Sequence, residues 1–309
     1  MLKVGLLVGR ERSFPNALIE EVNKRNQGVV AEYVKVGEIA SNAYFPYQVI
    51  VDRISHEVAF YQTYLKTAAL NGTIVINNPF WRMADDKFFG TALAEKLGIA
   101  IPKTVVLPMH SYPDTIAAES LSNLKFPLEW DQIVNYIGLP AILKPHWGGG
   151  WKAVNKVHSL QELFFYYNNS EQLCMMLQEY IDWQQYVRCL CIGKKEILIT
   201  NWDPRKSHFE RYNGVDQNLD ANLTERIRQD AIKINEALGY DMNTVEFAIR
   251  DGIPYAIDFM NSAPDFDISS LTEKYFPWVV DKMATLVIES AKQSVSTKPE
   301  YHWNKLMKI

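Results

Sequence analysis

The fold prediction starts from residues 255–264, YAIDFMNSAP, near the end of the printed sequence. The first four have the composition of a strand that ends in the carboxylate of Asp258, and the amide of Asn261 follows three residues later. Upstream, residues 244–249, TVEFAI, form a second strand-like run that contains Glu246. Two short strands therefore carry oxygen-bearing polar side chains near their ends.

A tight turn is expected between these strands, because Asp251-Gly252 lies between the two apolar runs and an Asp-Gly pair is a strong hairpin signal. The hairpin would bring Glu246, Asp258 and Asn261 close together. Two carboxylates and an amide oxygen are hard donors of the kind that Mg²⁺ needs when it also binds phosphates. The hairpin therefore predicts a metal site for nucleotide chemistry.

The composition is that of an ordinary globular protein. The chain has 309 residues, enough for two or three lobes with hydrophobic cores, and its net charge of −4 gives no reason to expect nucleic-acid binding. Cys174, Cys189 and Cys191 show neither CxxC metal spacing nor an even disulfide set, so we expect buried thiols. No apolar run reaches the roughly 18 residues of a membrane span, and the N-terminal segment is too short and strand-like for a signal peptide. These features predict a cytoplasmic protein without membrane contact.

Residues 1–78 alternate strand-like and helical patterns, which predicts a small open parallel sheet. In such sheets ligands bind beyond the carboxyl ends of the strands. Three polar segments follow predicted strands at that edge, namely residues 9–12, 52–55 and 77–78. Each is either a candidate for contacting a second substrate or a surface loop, and the sequence leaves both interpretations open.

Two α+β lobes are predicted to follow, at residues 79–180 and 181–309. The first opens with a helix at residues 85–97 and contains residues 108–130, which are rich in proline and are interpreted as an inserted loop. The second contains the carboxylate hairpin and ends in a helix predicted at Pro277–Ala291.

A second informative element is residues 141–151, AILKPHWGGGW, where Lys144 stands near the end of a buried strand and Gly148–Gly150 follow. Glycines let backbone N–H groups approach phosphate oxygens closely, and the ammonium group of a lysine neutralises their charge. The pattern is not a Walker motif, which requires Gly-Lys-Ser/Thr at a helix start. A glycine run alone is usually a flexible loop, but the adjoining lysine and the distant pair of carboxylates favour a phosphate site of another kind.

Residues 177–182, LQEYID, run from an apolar strand into a polar linker at the predicted boundary between the lobes. The backbone of an extended linker is able to pair with the edge of an adenine, and a following carboxylate or amide is able to bind ribose hydroxyls. A plain strand end is the alternative interpretation.

Several cationic side chains complete the set. Arg188 lies in an otherwise apolar strand, where an unpaired charge is costly, so it should face a carboxylate or a phosphate. Arg205 and Arg211 lie in the loop at residues 201–218 and could bind an anionic substrate through bidentate bonds. For Arg211 and His208, a solvated loop is the favoured alternative.

The order of these elements resembles the ATP-grasp superfamily, most closely its branch of carboxylate–amine ligases. The resemblance covers roughly residues 75–290, with a typical preceding domain before them. It implies a protein of the α/β and α+β class. A Rossmann-like N-terminal domain at residues 1–78 would precede an ATP-grasp fold whose two α+β lobes sandwich ATP.

The resemblance also implies a role for each position. The residues that match the phosphate lysines, the flexible glycine loop and the adenine hinge of the family are Lys87, Lys144, Gly148, Gly149, Gly150, Gln178, Glu179, Tyr180 and Ile181. Arg188 and Arg205 match catalytic arginines, and Glu246, Asp258 and Asn261 match the magnesium ligands. The chain departs from the family pattern in having Glu246 where aspartate is usual, and two residues instead of one between Asp258 and Asn261.

What the resemblance implies is ATP-dependent formation of an amide or peptide bond. A substrate carboxylate would attack the γ-phosphate of ATP to give an acylphosphate, and an amine would then displace phosphate. ATP and two Mg²⁺ ions, with Mn²⁺ as a substitute, would be the cofactors. The partners would be a small carboxylate and an amine, or a peptide, and a homodimer is the common arrangement among the resembling enzymes.

Two other functions stay open at this point. One is a small-molecule kinase on the same scaffold, which an absolute need for an amine co-substrate would exclude. The other is a non-catalytic nucleotide-binding protein, which the unusual spacing of Asp258 and Asn261 favours to some degree.

Overall fold

The structure is a computed structural model that describes residues 1–80, 86–214 and 218–293. They form two compact units, the first from the described parts of 1–84, 185–247 and 258–309, the second from those of 85–184 and 248–257. Asp85, the predicted start of a helix, and residues 294–309 of the predicted last lobe lie outside the described residues. The division into three domains stays a prediction.

The first unit contains a four-stranded parallel sheet in the order β2-β1-β3-β4. Its strands and the two helices between them are β1 (Leu2–Leu7), α1 (Ser13–Lys24), β2 (Val29–Tyr33), β3 (Val49–Asp52), α2 (Ala59–Leu70) and β4 (Ile74–Ile76). Ile50 and Val75 pack with Leu65 and Ala68 of α2 in one hydrophobic cluster. The predicted parallel sheet is confirmed. Its strands are apolar at almost every position, which is typical of parallel sheets because both of their faces are covered.

The second unit contains a four-stranded antiparallel sheet in the order β5-β8-β6-β7. Its elements are α3 (Lys87–Lys96), β5 (Thr104–Val106), α4 (Trp130–Ile137), β6 (Ala141–Pro145), β7 (Asn155–Val157), α5 (Leu160–Asn168) and β8 (Met175–Glu179). Leu143 and Leu177 point to one face of this sheet and pack with Ile137 of α4 and Leu163 of α5. Because side chains alternate along strands, the residues between them occupy the other face.

Local capping explains where two helices of this unit begin. The carboxylate of Asp86 accepts hydrogen bonds from the backbone N–H groups of Phe88 and Phe89, which caps α3. Ser159 caps α5 by accepting from the N–H of Glu162, whose carboxylate accepts from the N–H of His158. Residues 108–130 hold a single short 3₁₀ turn at Ala118–Leu121 before α4 begins.

A third sheet has the order β10-β9-β11-β12, and two helices accompany it. The elements are β9 (Gln185–Ile192), β10 (Glu196–Asn201), α6 (Ala221–Leu238), β11 (Met242–Arg250), β12 (Ile253–Asp258) and α7 (Ile268–Lys292). The predicted hairpin turn is confirmed: Asp251 and Gly252 both have positive φ, 54° and 73°, as a type I′ turn requires. Pro254 has no N–H group, and it is tolerated because β12 is an edge strand, where not every N–H group forms a hydrogen bond to another strand.

The closing helix differs from its prediction. It begins at Ile268 instead of Pro277, and it is interrupted at Thr272, where φ is 63° and ψ is 168°. The sequence pattern after Pro277 cannot reveal the part of the helix that begins at Ile268, because the helix is interrupted between them at Thr272. Among the described helices, none combines the length and apolar character that crossing a bilayer requires.

Candidate nucleotide and metal site

The face of the antiparallel sheet opposite its core carries the predicted phosphate lysine. Strand register places Thr104, Gln178, Ile142 and Lys156 side by side in one row, and Lys144 lies in the next row beside Met176. We call this surface the lysine face. Leu143 and Leu177, one position away in each strand, belong to the core. The sequence alternation thus separates a polar surface from an apolar one within the same strands.

Lys144 is nearly buried, with 8% of the residue exposed, and its Nζ donates to Oε1 of Gln178 at 2.9 Å. The amide nitrogen of Gln178 donates in turn to Oγ1 of Thr104 at 3.0 Å. An ammonium group has three donors, which suits it to binding several oxygen atoms at once.

The start of α3 lies next to the end of β6. The backbone N–H of Lys87 donates to the carbonyl of His146 at 2.9 Å, and Nε2 of His146 lies 3.8 Å from the Asp86 carboxylate. Lys87 is therefore adjacent to the segment that leads into the glycine run. Two positions that are almost 60 residues apart in the sequence meet at one place in this unit.

The glycine run is open on its outer side. Gly148 and Gly150 have φ of 102° and 70°, and a Cβ added at either would meet no heavy atom within 4 Å. The conformation, and not a lack of space, is therefore what requires glycine at these two positions. Trp147 and Trp151 flank the run and are both exposed.

The predicted adenine hinge lies at the end of β8. The Glu179 carboxylate accepts from Nη2 of Arg250 at 3.0 Å and from the N–H of Lys103 at 3.3 Å. The Tyr180 ring has Nζ of Lys156 3.4 Å from its centroid. Ile181 is buried. The Glu179 side chain is thus held by its own unit, while the backbone of residues 179–181 follows directly from the lysine face.

The first unit holds the predicted metal ligands around Arg188. Glu246 accepts a 2.7 Å hydrogen bond from the hydroxyl of Tyr186, and Nε of Arg188 lies 3.6 Å from its other oxygen. Nη2 of Arg188 donates to Oγ1 of Thr244 at 2.9 Å, and Nδ2 of Asn261 donates to the same hydroxyl at 3.0 Å. Sequence alternation explains the clustering, because Tyr186 and Arg188 share one face of β9 as Thr244 and Glu246 share one face of β11.

Electrostatics identify Asp258 as a neighbour of this group. Burial raises the pKa of Glu246, Arg188 opposes the rise, and the charge of Asp258 reinforces it. Burial acts to lower the pKa of Arg188, but Tyr212, Glu246 and Asp258 outweigh it, so that pKa is raised. A neighbouring carboxylate disfavours the ionised form of Glu246, and a neighbouring cation favours it. We call Glu246, Asp258 and Asn261 the carboxylate group; carboxylate and amide oxygens are donors of the kind that divalent cations bind.

Sequence analysis missed the aromatic surroundings of Arg188. Its guanidinium lies 4.2 Å from the centroid of the Trp202 ring, and the ring of Tyr212 meets that of Trp202 edge-on at 4.6 Å. Both aromatic residues are buried, and Nε1 of Trp202 has no hydrogen-bond partner among the described residues. Only the tertiary fold assembles this cluster, because Trp202 and Tyr212 come from the loop after β10.

Arg205 binds a different partner from the partners of Arg188. Its guanidinium binds both oxygens of Asp203 at 2.9 Å, its side chain is 71% exposed, and the hydrogen bond from Arg205 lowers the pKa of Asp203. Exposed pairs of this kind contribute about 0–1 kcal/mol. Arg211 donates to the carbonyl of Lys206 at 3.2 Å.

Two of the loops considered for a second substrate have structural partners. Arg53 is buried, forms a bidentate pair with Glu11 at 2.7 Å, and hydrogen-bonds the carbonyl of Pro264. The amide of Asn77 donates to the carbonyls of Met242 and Ser262. These side chains bind the segment after β12, and their burial argues against a surface loop at these two positions. Contact with a second substrate stays a prediction.

A separate acidic group lies beside Arg53. One carboxylate oxygen from each of Glu11, Asp265 and Asp267 lies within 4.8 Å of the other two. Arg53 pairs with Glu11, and Ser13 donates to Asp267 at 2.6 Å. This group consists of other residues than the predicted carboxylate group.

Comparison of the sequence with family profiles and curated proteins gives a partial match. No protein-family profile matches the chain. The curated human protein "Pyruvate carboxylase, mitochondrial" is 27% identical over 146 residues, which is 42% of this chain and 12% of that protein. The chain therefore spans about an eighth of the length of the curated relative it matches.

Solved structures match over almost the whole chain. D-alanine–D-alanine ligase from Bacillus anthracis, complexed with ATP, has a TM-score of 0.66 and 18% identity, covering 94% of this chain and 97% of the ligase. A RimK domain ATP-grasp protein from Sphaerobacter thermophilus has a TM-score of 0.64 and 21% identity over 93% and 99% of the two chains. The ATP-grasp ligase PsnB, complexed with a minimal precursor, has a TM-score of 0.66 and 12% identity over 94% and 99%. The chain is similar to these proteins throughout, and the predicted ATP-grasp fold is confirmed.

Proposed function

We propose that the chain is an ATP-dependent carboxylate–amine ligase that forms an amide or peptide bond through an acylphosphate, releasing ADP and phosphate. The observation that carries the proposal is the nearly buried Lys144 on the face of its sheet opposite the core, at the entrance to a glycine run. The fold shared with several ATP-grasp ligases supports it.

On this proposal the lysine face binds the nucleotide. Lys144 and Lys87 neutralise phosphate oxygens, and backbone N–H groups of Gly148–Gly150 donate to them. The backbone after Gln178 pairs with the adenine edge. Closure of the glycine run excludes water, which would otherwise hydrolyse the acylphosphate.

The carboxylate group would hold magnesium. Glu246, Asp258 and Asn261 would supply hard oxygen donors, and the charge of Asp258, which raises the pKa of Glu246, would be offset by a bound cation. Magnesium, when bound, neutralises charge on the transferring phosphoryl group. Tyr186 and Arg188 orient the Glu246 carboxylate, one on each oxygen.

The chemistry proceeds in two displacements. A carboxylate oxygen of the first substrate attacks the γ-phosphorus, and the bond to the bridging oxygen breaks with its electron pair leaving on ADP. The amine nitrogen then attacks the acyl carbon, the carbon–oxygen bond breaks, phosphate departs and the amine loses a proton. Arg188 and Arg205 would stabilise the charge that develops on the phosphoryl oxygens. No covalent protein nucleophile is needed.

The substrate class is proposed on the same basis. The neighbours include a D-alanine–D-alanine ligase and a ligase solved with a minimal precursor, so the acceptors would be a small carboxylate and an amine, or a peptide. Cys174, Cys189 and Cys191 are free thiols, which fits a reducing cytoplasm. A homodimer stays a prediction.

The proposal is tested by measuring ADP release with pools of amino acids and peptides, with hydroxylamine added to trap an acylphosphate as a hydroxamate. We expect hydroxamate in the native chain and none in Lys144→Ala. Lys103→Ala is the matched control, because that lysine is exposed and lies just before β5. ADP release that needs a hydroxyl acceptor and yields no hydroxamate would support a kinase instead.

A further inference from the structure

Asn243, at the start of β11, binds the segment that joins Asp258 to Asn261. Its Nδ2 donates to the carbonyl of Phe259 at 2.8 Å, and its Oδ1 accepts from the N–H of Asn261 at 2.9 Å. The same oxygen accepts from the N–H of Thr244 at 2.9 Å. Asn243 is completely buried. One side-chain amide thus satisfies backbone groups of both the strand and the segment.

The reason for this arrangement lies in the end of β12. The strand stops at Asp258, so Phe259 and Asn261 lose the regular hydrogen bonds of a sheet. Buried backbone groups without partners are costly, and an amide offers one acceptor and one donor group in a fixed geometry. Asn243 therefore substitutes for the sheet at the point where the chain turns.

The side chain of Asn261 is oriented by a second contact. Its Nδ2 donates to Oγ1 of Thr244, which also accepts from Arg188. With the amino end of the amide bound there, the carbonyl end is directed away from Thr244. Backbone and side chain of Asn261 are thus both fixed by neighbouring residues of β11.

We propose that Asn243 is the positioning residue of the metal site, because its bonds to Phe259 and Asn261 bring the Asn261 oxygen to the same ion as Asp258 across a gap of two residues. The inference rests on the proposed function, which makes Glu246, Asp258 and Asn261 the metal ligands. It explains how Asp258 and Asn261 would bind one ion although two residues lie between them, where the resembling enzymes have one.

The test measures metal affinity and not activity. Mn²⁺ binding in the presence of ADP is followed by electron paramagnetic resonance, and Mg²⁺ and Ca²⁺ affinities are obtained by competition. Asn243→Ala and Asn243→Ser are compared with Asn235→Ala, a control in the same unit that replaces another fully buried asparagine, in α6. Asn261→Ala tests the ligand itself.

A positioning role affects the two ions differently. We expect both Asn243 variants to lose at least about tenfold in Mg²⁺ affinity, as other residues that orient metal ligands do. Ca²⁺ affinity should fall by less than about threefold, because Ca²⁺ accepts irregular geometry and Mg²⁺ does not. A purely structural role would lower both affinities by the same factor.

The outcomes separate the two claims. Absence of Mn²⁺ binding by the native chain with ADP, or full affinity in Asn261→Ala, would refute the proposed metal site and the inference with it. Weak binding in Asn261→Ala together with native Mg²⁺ affinity in Asn243→Ser would overturn the inference alone. Asn235→Ala should retain native affinities for all three ions.

Discussion

At the residue scale, Lys144 is a nearly buried cation that donates to Gln178. Methionine keeps a similar volume but cannot neutralise phosphate oxygens. We therefore expect Lys144→Met to lose the stabilisation that Mg·ATP gives the native chain. Thermal unfolding with and without nucleotide checks this. Native nucleotide stabilisation in the variant would contradict the assignment of Lys144.

The pair of Arg188 and Glu246 gives a second prediction at this scale. Both side chains are almost buried, at 12% and 13% exposure. Removing one partner of a buried ion pair costs about 3–5 kcal/mol, because the other charge is left uncompensated. Arg188→Met should thus destabilise the chain strongly, and adding Glu246→Gln should recover part of the loss.

Urea unfolding of the two single variants and the double variant provides the measurement. The interaction free energy should lie between about 0.5 and 3 kcal/mol, as for residues in contact. Strict additivity of the two substitutions would mean that the pair contributes nothing to the free energy of unfolding.

Individual residues also show where prediction from sequence succeeds. Arg188 could be predicted to face a carboxylate, because an unpaired charge in an apolar strand is too costly. Its partner is Glu246, as alternation and the hairpin allow. Trp202 and Asn243 could not be predicted, since nothing local in the sequence states which side chain a distant loop will bring to them.

At the element scale, the glycine run offers a matched set of variants. Gly148 and Gly150 have positive φ, Gly149 does not, and none of the three has a neighbour within 4 Å of an added Cβ. Alanine costs roughly 1–2 kcal/mol in a left-handed conformation. Gly148→Ala and Gly150→Ala should therefore shift the loop and weaken nucleotide binding several-fold.

Gly149→Ala is the control for that experiment, because it adds the same methyl group without the conformational cost. Nucleotide affinity is measured by calorimetry for all three variants. Equal losses in all three would show that added volume, and not backbone conformation, is what the loop resists.

Helix α6 carries a prediction about pH. Burial raises the pKa of Asp230, although Lys233 and Arg226 oppose the rise. A carboxyl group whose folded pKa is raised contributes stability below its unfolded pKa, and this contribution is lost as pH rises through the folded pKa. Asp230→Asn should therefore unfold at a higher temperature than the native chain at pH 7.

The difference between Asp230→Asn and the native chain should shrink as pH falls to about 4, near the unfolded pKa of aspartate. Thermal unfolding followed by circular dichroism at several pH values measures it. A difference that stays constant over this range would show that the ionisation of Asp230 does not contribute.

Helices, strands and turns could be predicted where adjacent residues in the sequence determine them. The Asp251-Gly252 turn and the strand at Ala141 follow from adjacent residues, and both occur where expected. The early start of α7 was missed because the break at Thr272 interrupts its period. Leu271, just before the break, is completely buried, and no local pattern reports packing of this kind.

At the scale of the whole molecule, the ATP-grasp fold explains why so many loosely defined motifs were informative. Each motif alone is weak, but their order along the chain agrees with the sheets that the structure contains. Solved structures with the same fold share at most 21% identity among those compared. Fold could therefore be predicted from the order of elements, whereas substrate identity depends on loops that have no readable pattern.

The central proposal is that Lys144 binds ATP and that the carboxylate group binds magnesium. Calorimetric titration of the native chain with a non-hydrolysable ATP analogue and Mg²⁺ tests it most directly, with Lys144→Met and Asp258→Asn in parallel. The account predicts saturable binding by the native chain, loss of nucleotide binding in Lys144→Met, and loss of the magnesium dependence in Asp258→Asn. No heat with the native chain, or native affinity and magnesium dependence in both variants, would contradict it.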